Sequence, residues 1–122
     1  MPAILMVDDD PSILMVGKLM LKKAGHRVLT AGSGTEALAM LQANDVSLVF
    51  LDLIMPGQDG VQTFRALREA KPEIAVVIVS GHDDARSSGE FSTLGDQPVG
   101  YLQKPFTLLS LTAAAQKYFK PG

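Results

Sequence analysis

The chain has no cysteine among its 122 residues, which excludes disulfides and thiolate-held zinc alike. It has no hydrophobic run approaching the ~20 residues that a membrane-spanning helix needs; its apolar stretches are strand-length and broken by charge or glycine. It has no basic leader or cleavage site, since Met1-Pro2-Ala3 passes directly into an apolar segment, and a soluble cytoplasmic protein is the expectation. An excess of charge is missing too. The 11 Lys+Arg against 13 Asp+Glu give −2 at pH 7, a balance too small and too evenly spread along the chain to mark a nucleic-acid surface.

With 47% hydrophobic and 20% charged residues, the composition is that of an ordinary folded domain. Its length suits a single unit over 1–122 that buries roughly two-thirds of the surface of the unfolded chain. Short apolar runs alternate with longer helical patterns. Ile4 to Val7 reads as a strand. A helix starts at Pro11, where proline is tolerated in the first turn, and runs to about Ala24 with Gly25 as its stop. Arg27 to Ala31 is a second strand. Ser33 caps a helix, with Glu36 three residues on completing a capping box; Ala37, Leu38, Met40 and Leu41 form its apolar side, and Asn44 ends it. Ser47 to Leu51 is a strand ending at Asp52, followed by a loop to Asp59. A helix with Phe64 and Leu67 inward runs to about Ala70, and Ile74 to Val79 is another wholly apolar strand. Between Ser80 and Val99 the composition is poor helix material, so a fourth helix is short, over Gly89 to Leu94. A fifth strand covers Val99 to Gln103, and Leu108 to Phe119 is the last helix.

Strands this apolar are buried on both faces, as in a parallel sheet sandwiched by helices. Five such units imply an α/β fold: a single doubly wound, five-stranded parallel sheet flanked by five helices, with right-handed crossovers. Ligands of such sheets bind at the carboxyl ends of the strands. Here those ends carry Asp8-Asp9-Asp10, Asp52, Ser80 and Lys104-Pro105. Clustered carboxylates repel unless neutralised, and a hard cation such as Mg²⁺ neutralises them while keeping room for phosphoryl oxygens. Lys104 can pair with a transferred phosphoryl group, Ser80 can donate a hydrogen bond to it, and the Asp52 carboxylate has lone pairs for in-line attack. Each element alone has a plainer reading: an acidic run as a helix N-terminus, one Asp as a cap, Ser80-Gly81 as a loop start. Their joint appearance at four strand ends argues against that.

Val7-Asp8-Asp9-Asp10, Leu51-Asp52-Leu53-Ile54-Met55-Pro56-Gly57-Gln58-Asp59-Gly60, Val79-Ser80-Gly81 and Tyr101-Leu102-Gln103-Lys104-Pro105-Phe106 follow one another in an order that resembles the receiver domains of bacterial two-component systems, over essentially the whole chain. The flavodoxin-like receiver fold is implied with it. The resemblance implies that Asp52 is the phosphoacceptor in a phosphorelay. Asp8, Asp9, Asp52 and the backbone carbonyl of Ile54 would bind Mg²⁺ or Mn²⁺. Ser80 is the implied switch hydroxyl, Lys104 the phosphate-pairing lysine, and Tyr101 the aromatic that changes rotamer, its alternative being a half-buried strand aromatic with a wet hydroxyl. Lys104-Pro105 is a candidate cis bond. The implied donor is a phosphohistidine of a histidine kinase or a histidine phosphotransfer domain. No direct nucleic-acid or membrane partner is implied, and the expected state is a monomer or a weak phosphorylation-dependent dimer. Such a domain is not an enzyme, although it assists its own phosphorylation and dephosphorylation.

The segment Thr93 to Gly100 departs from the family's usual Gly-Ala pair, which puts the usual output surface in doubt. Gly81-His82 and Gly100 to Phe106 look more like receivers of hybrid histidine kinases, and both a stand-alone receiver and a piece of a hybrid kinase fit. Helix 11–24 is apolar on nearly every side; either the last helix covers the surplus or it docks a partner helix. His82 is either a solvated loop residue or one that tunes dephosphorylation. Rival functions fit less well. A carboxylate phosphatase wants a second Asp two residues after the nucleophile, where Ile54 stands. A flavodoxin-type binder wants a phosphate loop where three aspartates would repel phosphate. A pseudo-receiver would have lost an acidic or lysine position.

Overall fold

The computed structural model describes residues 2–55, 58–81 and 100–120. Five strands, β1 (Ala3–Val7), β2 (Val28–Ala31), β3 (Val46–Asp52), β6 (Ala75–Ser80) and β7 (Gly100–Gln103), form one sheet in the order β2-β1-β3-β6-β7. Every pairing in it is parallel. The expected loop after Asp52 contains a small antiparallel hairpin, β4 (Ile54–Met55) and β5 (Gln58–Asp59). Four helices are described: α1 (Pro11–Lys23), α2 (Gly34–Ala43), α3 (Gly60–Ala70) and α4 (Leu108–Tyr118). Five helices were expected; the remaining one, Gly89 to Leu94, lies outside the described residues, as do Val99 and His82. No helix among the described residues is long and apolar enough to cross a membrane.

The continuous apolar runs are explained by two cores, one on each face of the sheet. In β1, Leu5 and Val7 face a cluster with Ala37, Leu41, Phe64 and Leu67 from α2 and α3. Their neighbours Ile4 and Met6 face a second cluster with Leu21 of α1 and Leu111 and Ala115 of α4. The alternation repeats in β3, where Val49 and Leu51 point one way and Leu48 and Phe50 the other. A strand with period-two alternation and apolar residues at both phases must be covered twice.

Helix ends follow their local chemistry. Asp10 caps α1, its Oδ1 accepting from Ser12 N at 2.9 Å and from Ser12 Oγ at 2.7 Å. At the other end His26 N donates to Leu21 O and Gly25 N to Lys22 O, both at 3.0 Å, which is a Schellman closure. It needs the φ of +96° that Gly25 supplies. The capping box expected at Ser33 forms by half. Ser33 Oγ accepts from Glu36 N at 3.1 Å, whereas the Glu36 carboxylate reaches past it to Gly32 N at 3.2 Å. A full reciprocal box stands instead at α4: Thr107 Oγ1 accepts from Ser110 N at 3.0 Å and Ser110 Oγ from Thr107 N at 2.8 Å.

The last helix covers part of the apolar surplus on α1. Leu14, Met20 and Leu21 belong to the core shared with α4. Met15 and Leu19 stay 64% and 63% exposed.

Candidate functional site

The sheet order makes the site. β1 and β3 are neighbours at the centre, with Val7 paired to Leu51, so the next residues, Asp8 and Asp52, emerge side by side at the carboxyl edge. Both are buried, at 3% and 4% exposure. With the exposed Asp9 they bring carboxylate oxygens within 4.8 Å of one another. Burying carboxylates together is costly without a compensating charge. Lys104, just past β7, supplies one: its Nζ lies 2.7 Å from Asp8 Oδ2 and 3.2 Å from Asp52 Oδ2. The other oxygen of Asp8 accepts from Asp10 N at 2.9 Å.

Lys104 is held in place by its own backbone. Its N–H donates to Ser80 O at 2.7 Å, extending the β6–β7 ladder by one bond, and the Lys104–Pro105 peptide is cis. Burial works against charge on Lys104, but the hydrogen bond to Asp8 and the attraction of Asp52 and Asp8 outweigh it, so its pKa lies above the ordinary 10.5. The Asp10 carboxyl is held below its ordinary 3.8, chiefly by the Ser12 hydroxyl it accepts from.

Ser80 ends β6, buried, one residue beyond the register partner of Asp52. Tyr101 pairs with Ile78 in the sheet and packs, partly buried, against the core that α2 and α3 cover. Ile54 is two residues past Asp52 and pairs with Asp59. The structure thus gathers Asp8, Asp9, Asp52 and Lys104 at one point, with Ser80 at the adjacent strand end. Asp10 is the member of the acidic run that turns away, and its sequence signal is an Asp immediately before a proline at the first helical position.

The donor set fits a hard divalent cation. All its side-chain ligands are carboxylates, no Cys or His is among them, and three carboxylates against one ammonium leave two negative charges to balance.

The comparisons with known proteins agree. Residues 4–116 match the model of the response regulator receiver domain. The chain is 31% identical over 116 residues to the C4-dicarboxylate transport transcriptional regulatory protein DctD of Rhizobium meliloti, covering 95% of this chain and 25% of that protein. It is 33% identical to the sensor kinase CckA of Brucella abortus, covering 93% of this chain and 12% of that one. The chain therefore spans a quarter or less of these two relatives. Among solved structures, the chemotaxis protein CheY4 of Vibrio cholerae superposes with a TM-score of 0.87 at 28% identity, covering 98% of this chain and 99% of that one. A buried aspartate pair bridged by a lysine, on this sheet order and with this match, leads to one conclusion: the chain belongs to the response regulator receiver domain family, the phosphoacceptors of two-component signalling.

Proposed function

We propose that residues 1–122 act as one receiver domain and that Asp52 is the residue phosphorylated. The observation that carries this reading is the Asp52 carboxylate, fixed at the end of a fully paired strand and 3.2 Å from the Lys104 ammonium. A nucleophile for phosphoryl transfer needs positioning and charge stabilisation more than intrinsic reactivity. An Asp52 oxygen attacks phosphorus as the P–N bond of a phosphohistidine breaks; the electron pair stays on the imidazole nitrogen, which takes up a proton. The donor is a histidine kinase or a histidine phosphotransfer domain. The domain is not itself a turnover enzyme, and cytoplasmic placement goes with a kinase donor.

Asp8, Asp9, Asp52 and the Ile54 carbonyl would hold Mg²⁺ or Mn²⁺, which supplies positive charge against the phosphoryl oxygens. Lys104 then exchanges a carboxylate partner for a phosphoryl oxygen. Ser80 donates its hydroxyl to another, and Tyr101 follows the space that Ser80 leaves, altering the surface near β7 and α4.

Intact mass after incubation with acetyl phosphate tests the reading. The expected result is a gain of one phosphoryl group with Mg²⁺, none with EDTA and none in Asp52→Asn. Equal labelling of Asp52→Asn would remove Asp52 from its role.

A further inference from the structure

Folding gathers many of the basic residues at one end of the sheet, where Glu69 and Glu73 also lie. Asp8, Asp9, Asp10 and Asp52 crowd the carboxyl ends of the strands. Lys22 and Lys23, Arg68, and Lys117 occupy the last turns of α1, α3 and α4, and in a parallel α/β layout helices end where strands begin. At that opposite end a cleft of about 440 Å³ opens between the start of β3 and the α3–β6 turn. Val46, Ala70, Pro72 and Ile74 form an apolar lining, and Lys71, Lys120 and Ser47 add polar groups, against the single acid Glu73. A smaller recess of about 180 Å³ shares Pro72, Glu73, Ile74 and Lys120, and it brings in Arg68 and Lys117.

Two further features give the cleft the character of an anion site. Lys71 is anchored, its Nζ donating to Val46 O at 3.3 Å, so its charge is held at the cleft while two donor hydrogens remain. The lining combines apolar surface with a few convergent polar groups, in the size range of small-molecule sites. Lys71 and Lys120 against Glu73 leave the cleft with a positive balance, which favours an anion over a metal ion.

The geometry points to a second binding site here, for a phosphomonoester, with Lys71 and Lys120 as its cationic donors and the apolar lining against the organic part. Val46 at the cleft and Asp52 at the acidic edge are the two ends of one strand, about 20 Å apart at 3.3 Å per residue. The site is therefore separate from the phosphoacceptor and does not depend on the reading of Asp52.

The test is titration of the ¹⁵N-labelled chain with AMP, inorganic phosphate and adenosine, in EDTA so that no metal recruits phosphate to the aspartates. Saturable shifts at the amides of Ser47, Lys71, Glu73 and Lys120 with AMP, and none with adenosine, are expected. Saturation by inorganic phosphate at the same amides would support the site with free phosphate as its ligand; tighter binding of AMP would support an organic phosphate. Lys71→Gln and the exposed pair Lys117→Glu/Lys120→Glu should each weaken binding about tenfold or more. Phosphorylation of the chain should stay unchanged in the exposed pair, which separates this site from Asp52. No saturable shift up to about 10 mM, or affinity unchanged in both variants, would overturn the proposal. So would binding of an oligonucleotide across Lys22, Lys23 and Arg27 without any AMP site.

Discussion

Lys104 and Asp8 form a 2.7 Å ion pair between residues 96 positions apart in sequence. It joins the last described strand to the first, and Asp8 is almost wholly buried at its end of the contact. Removing one partner of such a pair leaves an uncompensated charge, which costs more than the pair itself contributes.

Lys104→Ala should therefore destabilise the domain by about 3 kcal/mol, measured as a shift of the urea midpoint in EDTA. Mg²⁺ should restore more stability to the variant than to the parent chain, because the cation then has no ammonium to compete with. Equal Mg²⁺ responses in the two chains would show that Lys104 and the metal do not share the carboxylates.

Gly100 offers a second test. A Cβ built there would lie 2.8 to 3.0 Å from the hydroxyl and ring carbons of Tyr118, closer than a methyl group tolerates. Gly100→Ala should cost about 1–3 kcal/mol through overpacking. In Tyr118→Ala the same substitution should cost far less, giving a non-additive cycle. Additive losses would mean that Tyr118 moves aside freely and that Gly100 is needed only for its backbone.

The last helix separates burial from hydrophobicity. Leu111 is fully buried in the core shared with α1, while Leu109, two residues earlier, is 80% exposed. Leu111→Ala should lose about 2–5 kcal/mol. Leu109→Lys should change stability by no more than about 0.5 kcal/mol, as read from chemical denaturation. A large loss at Leu109 would show that it is covered in solution by another surface.

Much of this architecture is legible in the residues, for a physical reason. Almost wholly apolar runs such as Ser47 to Leu51 admit few placements other than a doubly covered parallel strand, and that placement fixes where Asp52 must emerge. Less legible are features in which several partners compete for one group. Asp8, Asp9 and Asp10 look alike in sequence, yet the helix N-terminus takes Asp10 for its cap. Glu36 has two backbone N–H groups within reach and takes Gly32. The Thr107–Ser110 box escapes a search for Glu or Gln at the third helical position, because a serine performs the same exchange. Charge is the clearest case. Lys22, Lys23, Arg68, Lys71 and Lys117 are scattered among acids along the chain, and only the repeated reversal of direction between strands and helices collects them at one end. Glu69 and Glu73 reach the same end, so the fold decides which charges become neighbours.

The central placement of β1 and β3 has a consequence for how the site can be lost. Asp8 N donates to Ala31 O and Leu53 N to Val79 O, each at 3.1 Å, so the chain is tied into the sheet at or immediately beside both carboxylates. Those amides should exchange slowly, opening with the sheet as a whole, as amide hydrogen exchange would show. The spacing of Asp8 and Asp52 is then as durable as the fold. A signal that alters this domain has to act on what surrounds the two carboxylates, since the distance between them is not free to change by itself.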